Sequence, residues 1–140
     1  MFIPFGEATT AQMSQEFARL HPVRDIGGGP VLFFPLDRRH ITAPHLRLPE
    51  PSRSFFLGLL RRAEPPTPAR IAEQLADNEA LYARVCALGG VRYLPDTLPE
   101  DAAFWPAHFG TDWPVLQAHK DRWDPGGVLV GSFGAALRGK

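Results

Sequence analysis

Apolar residues change their spacing several times along this chain, and each change marks an element. Met13, Phe17 and Leu20 recur at helical spacing behind Thr10, a capping residue, and predict a first helix over about residues 11–20. The glycines of GGGP at 27–30 break that pattern, and the branched and aromatic run VLFFPL then predicts a strand over 31–36. HITAPHLRLPEPS reads as a turn-rich excursion, after which FFLGLLRRA predicts a second strand near 55–62. The clearest pattern is TPARIAEQLADNEALYARVCALGG. Thr67 stands as N-cap, Pro68 at the first helical position, Ile71, Leu75, Asn78, Tyr82 and Val85 form one stripe, and Gly89 follows the end. Together they predict a helix over 68–88 with one face on a sheet. VRYL at 91–94 supplies a third strand, and Asp101 and Thr111 stand as caps of two later helices, the second carrying Trp113, Leu116, Lys120 and Trp123 on one side. The expected class is α+β, an antiparallel sheet flanked by helices, with at least one edge bare or covered by another copy of the chain.

A length of 140 residues fits one compact unit. The 15 prolines and 13 glycines are spread along the chain, which suits short elements joined by rigid turns. Lys plus Arg and Asp plus Glu each total 15, giving zero net charge without a block of like charges, so the electrostatic case for nucleic acid or an anionic membrane falls away. The apolar runs VLFFPL and FFLGLL are too short to span a bilayer, and MFIPFGEATT lacks the pattern of a secretory leader. A soluble, cytoplasmic protein is expected. Cys86 has no second cysteine to pair with.

Local chemistry is sparse. Gly27, Gly28 and Gly29 run from a helix into a strand, the reverse of a phosphate cradle. Asp37, His40 and His45 offer metal-ligand types on a loop, but without the spacing of structural zinc, and His108 and His119 fall on different elements. Cys86 has no histidine nearby and reads as a buried thiol. GSFG at 131–134 lacks the G-x-S-x-G spacing of a nucleophile elbow.

One stretch is far more specific. FWPAHFGTDWPVLQAHKDRWDPGGVL resembles the C-terminal signature of the cytokinin dehydrogenases, FAD-linked oxidoreductases of the vanillyl-alcohol-oxidase type: W-x-x-HFG-x-x-W-x-x-F-x-x-x-K-x-x-[FY]-DP-x-x-[IL]-L. Trp105, His108, Phe109, Gly110, Trp113, Lys120, Asp124, Pro125 and Leu129 match in register, with Leu116 in place of Phe and Trp123 at the aromatic position. Upstream, GGGPVLFFPLDRR, FFLGLLRRAEP and RYLPDTLPEDAAFW are similar to further family motifs in the same order, so the resemblance covers nearly the whole chain.

The resemblance implies the later part of a substrate-binding domain plus the segment that returns to a separate FAD domain. The family's covalent flavin histidine and catalytic Asp belong to parts that have no counterpart in this sequence, and the family ending L-x-PGQ-x-IF is replaced by VGSFGAALRGK after Leu129. Pro35, Leu60 and Leu94 correspond to apolar lining of the substrate pocket. Trp105, His108, Phe109 and Trp113 correspond to the segment that docks on the flavin domain. Phe104, Trp105, Phe109 and Trp113 predict an exposed aromatic patch, and Trp105→Ala together with Phe109→Ala is expected to loosen an assembly while sparing the fold. The isolated chain is expected to bind no FAD; the implied partners are a flavin-domain chain or further copies of itself, with an adenine-type small molecule as ligand. Three readings stay open. The chain is a fragment or small subunit of an oxidoreductase acting on the C–N bond of an N6-substituted adenine or similar amine, inactive alone; or a stand-alone binding module that keeps an apolar pocket; or a small enzyme using new residues such as His108 or Asp112.

Overall fold

The computed structural model describes residues 1–4, 6–26, 29–50, 52–94, 101–129 and 131–137. They divide into two compact units: Met1–Thr42 with Leu48–Arg92, and Ala43–Arg47 with Tyr93–Lys140. A length that suggests one compact unit thus holds two.

The first unit is built on three antiparallel strands, β1 (Phe2–Pro4), β2 (Val31–Asp37) and β3 (Arg53–Leu59), in the order β1-β3-β2. Phe34 lies opposite Phe56 in β3, Pro35 opposite Phe55, and Ile3 of β1 also opposite Phe55. The same register carries on past β2, where Arg38 N–H donates to Ser52 C=O at 2.8 Å. Even-numbered residues of β2 therefore bond to β3, and odd-numbered residues turn their N–H and C=O outward. Pro35 is odd, so its missing donor faces away from β3 and no bond of the sheet is lost. Pro4 meets the same condition on β1, whose outer side is closed at one point by Phe2 and Val91, bonded to each other at 2.7 and 2.8 Å.

Helices α1 (Glu7–Arg19) and α3 (Pro68–Ala87) cover one face of this sheet, and α2 (Pro22–Ile26) lies between α1 and β2 in sequence. The core joins Ile3 of β1, Met13 of α1, Leu57 of β3, and Leu81 and Val85 of α3. Glu16 links the two helices, accepting from Arg84 Nε at 2.9 Å. Behind the sheet's end Asp25 accepts the His21 backbone N–H at 2.7 Å and pairs with Arg61, whose guanidinium also donates to Asn78 at 2.7 Å.

Several boundaries differ from the sequence pattern. Helix α1 begins at Glu7, one turn before the position expected for a Thr10 cap, because the Thr10 hydroxyl donates back to Gly6 C=O and so sits comfortably inside the helix. In α3 Thr67 does cap, accepting from Arg70 N–H at 3.3 Å, and Gly89 takes φ 76° just past the end. Only the C-terminal half of its stripe is buried; Ile71 and Leu75 are exposed, and Leu81 carries the packing. The expected strand at 91–94 contracts to the single bridge at Val91, since Arg92 turns to Glu79 and to the face of Tyr82. β3 runs over 53–59 and stops short of the expected 62 because Arg61 leaves the ladder for Asp25.

The second unit is helical: α4 (Phe104–Phe109), α5 (Trp113–Trp123) and α6 (Ser132–Leu137). Gly110 ends α4 with φ 54°, a conformation that favours glycine, which accounts for the glycine of HFG. Asp101 accepts Ala103 N–H at 2.9 Å before α4, whereas Thr111 caps nothing and lies inside a 3₁₀ turn. The Gly27 and Gly28 positions, residues 95–100 and the final residues 138–140 lie outside the described residues.

Candidate functional site

The signature stretch that stands out in the sequence is first of all a core. Trp105, Phe109 and Trp113 are 1%, 4% and 9% exposed and cluster with Ala136 and Leu137 of α6. Phe133 lies among them, 4.8 Å from Trp105, 5.6 Å from Phe109 and 6.3 Å from Trp113 between ring centroids. His108 is half-buried and stacks on Phe104 at 5.2 Å. The aromatic patch expected to be exposed is therefore covered, and the reason is α6. Its segment departs from the family ending, and no helical period announces it, yet it lays Phe133 and Leu137 over those rings.

Lys120 and Asp124 organise the next turn. The Lys120 ammonium donates to the Asp124 carboxylate and to Leu129 C=O, while Asp124 accepts the N–H groups of Val128 at 2.8 Å and Leu129 at 3.1 Å. Both side chains are largely buried. The Lys120 ammonium, followed by those two N–H groups, holds the Asp124 carboxyl down to about 2. Gly134 is needed beside this clamp, because a Cβ there would meet Leu129 O at 2.7 Å. The K-x-x-x-DP portion of the signature is thus a fold device, and the clamp leaves Trp123, Val128 and Leu129 on the surface at 74%, 80% and 71% exposure. Trp123, expected to anchor α5, lies outside instead, under the Arg122 guanidinium at 4.8 Å.

Polar candidates separate. Asp37 engages Arg39, which holds its carboxyl well below the usual carboxylate range. His45 instead faces Asp112, Nδ1 to Oδ2 at 3.4 Å, with the His119 ring 6.3 Å away. These residues are 67 positions apart, so no spacing rule connects His45 with Asp112. No cluster of three metal-ligating side chains occurs among the described residues. Cys86, expected buried, is exposed, because it follows Val85 by one position and so leaves the buried stripe of α3.

The three expected pocket positions do not gather in one unit. Pro35 is exposed on β2, and Leu60, just past β3, is 46% exposed and lies against Gly29, where a Cβ would approach it to 3.1 Å. Leu94 belongs to the second unit and packs on its aromatic core. Within the first unit an apolar cleft of about 130 Å³ opens between α1 and the sheet, lined by Thr9, Met13, Phe17, Phe33 and Phe55 among others. Phe33 stacks on Phe55 at 4.7 Å and receives Phe17 edge-on at 5.2 Å. The other sheet face carries a second aromatic row, Phe2–Phe56 at 5.6 Å and Phe56–Phe34 at 5.0 Å, buried at Phe2 and exposed toward β2.

Residues 2–134 match the protein family described as cytokinin dehydrogenase 1, FAD and cytokinin binding. The chain belongs to the cytokinin dehydrogenase family. A protein of Rhodococcoides fascians described as an uncharacterized oxidoreductase, ORF5 in the fasciation locus, is 33% identical over 110 residues, which cover 78% of this chain and 24% of that protein. The chain thus spans about a quarter of this relative's length. Relationship to FAD-linked oxidoreductases of the cytokinin dehydrogenase type explains why the motifs run in one order through both units. The cleft does not itself fit a flavin dinucleotide, for its volume lies below the roughly 300–1,000 Å³ of usual cofactor pockets and no cationic side chain lines it. No helix among the described residues is long and apolar enough to cross a membrane.

Proposed function

We propose that this chain is the substrate-side portion of a cytokinin dehydrogenase-type oxidoreductase that works with a separate flavin-bearing chain and is inactive alone. The observation that carries this reading is the family match over residues 2–134, in a chain that spans 24% of the length of its oxidoreductase relative. In such an assembly the first unit contributes apolar surface, with Pro35 and Leu60 as the lining positions, for an N6-substituted adenine or similar amine, while the flavin would supply the oxidant for its C–N bond. Burial of Trp105, Phe109 and Trp113 under α6 moves the contact with a flavin domain away from those rings, and the exposed Trp123, Val128 and Leu129 become the better candidates. The test is co-expression with a flavoprotein chain of this family. Co-purification of bound flavin, and oxidation of an N6-substituted adenine by the pair but not by the chain alone, is expected; turnover by the colourless chain would overturn the proposal.

The aromatic cleft at Phe17, Phe33 and Phe55 favours one second reading, a stand-alone module that binds a small planar ligand. Calorimetric titration of the purified chain with an adenine derivative separates the two: saturable binding abolished by Phe33→Ala, without any flavoprotein partner, supports the module.

A further inference from the structure

Leu60, the first residue past β3, is 46% exposed and yet held from two sides by α2. On one side its chain neighbour Arg61 turns inward, where Nε lies 3.2 Å from Asp25 Oδ1 and the two side chains are only 8% and 2% exposed. On the other side stands Gly29, so close that a Cβ there would meet Leu60 Cβ and Cδ1 at 3.1 Å. Gly29 is itself tied to the end of α2, donating its N–H to Ile26 C=O at 3.3 Å. Asp25 is fixed in turn by His21, whose N–H donates to its carboxylate at 2.7 Å and whose C=O accepts the Asp25 N–H at 2.8 Å. Arg61 Nη1 donates to Asn78 Oδ1 at 2.7 Å, so one guanidinium joins α2 to α3 at the point where β3 ends.

Strength alone does not call for these charges. Withdrawing both from water offsets much of their attraction, and an apolar pair of similar size would hold a strand end about as firmly. What the guanidinium adds is direction, because a planar fork engaged by Asp25 and Asn78 at once leaves its own backbone little freedom. Leu60 is one residue away and shares that constraint, while the Gly29 backbone limits its rotation on the near side. We infer that Asp25 is a positioning residue for the substrate pocket, acting through Arg61 to set where the Leu60 side chain stands. This rests on Leu60 lining that pocket in the assembled enzyme, and it adds a residue that no sequence motif singles out.

Three variants with two readouts test it. Asp25→Asn removes the charge that draws Arg61 inward. Asn78→Ala loosens the guanidinium without leaving a charge unpaired, so it serves if Asp25→Asn does not fold, and Gly29→Ala pushes on Leu60 directly with the ion pair intact. In the chain alone, methyl NMR should show the Leu60 resonances shifted in each variant while those of the buried Leu57 and Val85 stay. In the pair with a flavoprotein chain of the family, KM for an N6-substituted adenine should rise about tenfold at nearly constant kcat, as when an apolar contact with bound substrate is lost. A purely structural role would do the reverse, lowering kcat with the folded fraction and leaving KM alone. Leu60 methyls unmoved by Asp25→Asn and Asn78→Ala would overturn the inference whatever the pair does, and so would an unchanged KM in a pair whose wild type turns over. No turnover by the wild-type pair would count against the assembly itself, with the position of Leu60 still decided by the spectra.

Discussion

Trp105 and Trp123 belong to one signature and have opposite fates. Trp105 is enclosed by Phe104, Phe133 and the rest of the aromatic core, so Trp105→Ala leaves a large cavity and should cost about 3–5 kcal/mol in urea unfolding. Trp123→Ala removes a ring that is 74% exposed and should stay within about 0.5 kcal/mol. Substituting Trp105 and Phe109 together therefore attacks the fold, contrary to the sequence-based expectation that it would only loosen an assembly. Asp124 adds a pH dependence. Its carboxyl titrates at about 2 in the folded chain against ~3.9 in an unfolded one, so the clamp's contribution is complete above about pH 4 and is lost as the pH falls toward 2. Asp124→Asn should flatten that part of an acid titration followed by tryptophan fluorescence. Unchanged acid unfolding would show that the clamp does not hold the unit.

Helix α3 shows how far pattern reaches at the level of elements. Its start and end were legible because Thr67, Pro68 and Gly89 act on the backbone next to them. Thr67→Ala should cost about 1 kcal/mol, readable as a lowered melting temperature. Which turns of the helix are buried was not legible, since Ile71 and Leu75 share the stripe with Val85 but remain exposed. Leu81→Ala should cost about 2–5 kcal/mol, and Leu75→Ala much less, by the same measurement. Short elements escaped the pattern altogether. β1 has three residues, one a proline, and α2 and α6 have five and six, too few for a period to repeat. Gly90 belongs at this scale too, because a Cβ there would meet Val85 Cγ1 at 2.3 Å and Phe2 O at 2.9 Å where β1 passes the end of α3.

For the whole molecule the decisive fact is the division into two units with separate cores. Leu81→Ala should therefore lower amide exchange protection in the strands and α1 more than in α4 and α5, and Trp105→Ala should do the reverse. Equal loss everywhere would mean that the units open as one. The same division places Pro35 and Leu60 in one unit and Leu94 in the other.

Family membership, the α+β class, strand β2 and helix α3 could be read from residue order alone, because each depends on neighbours within one or two turns of chain or on motifs that keep their spacing. Burial could not be read that way. Whether Trp105 faces solvent depends on Phe133 twenty-eight positions later, His45 meets Asp112 across 67 positions, and Arg61 ends β3 by reaching Asp25. These outcomes are set by which surfaces remain to be covered once the local elements exist, a competition for partners that residue patterns along one strand or helix do not contain.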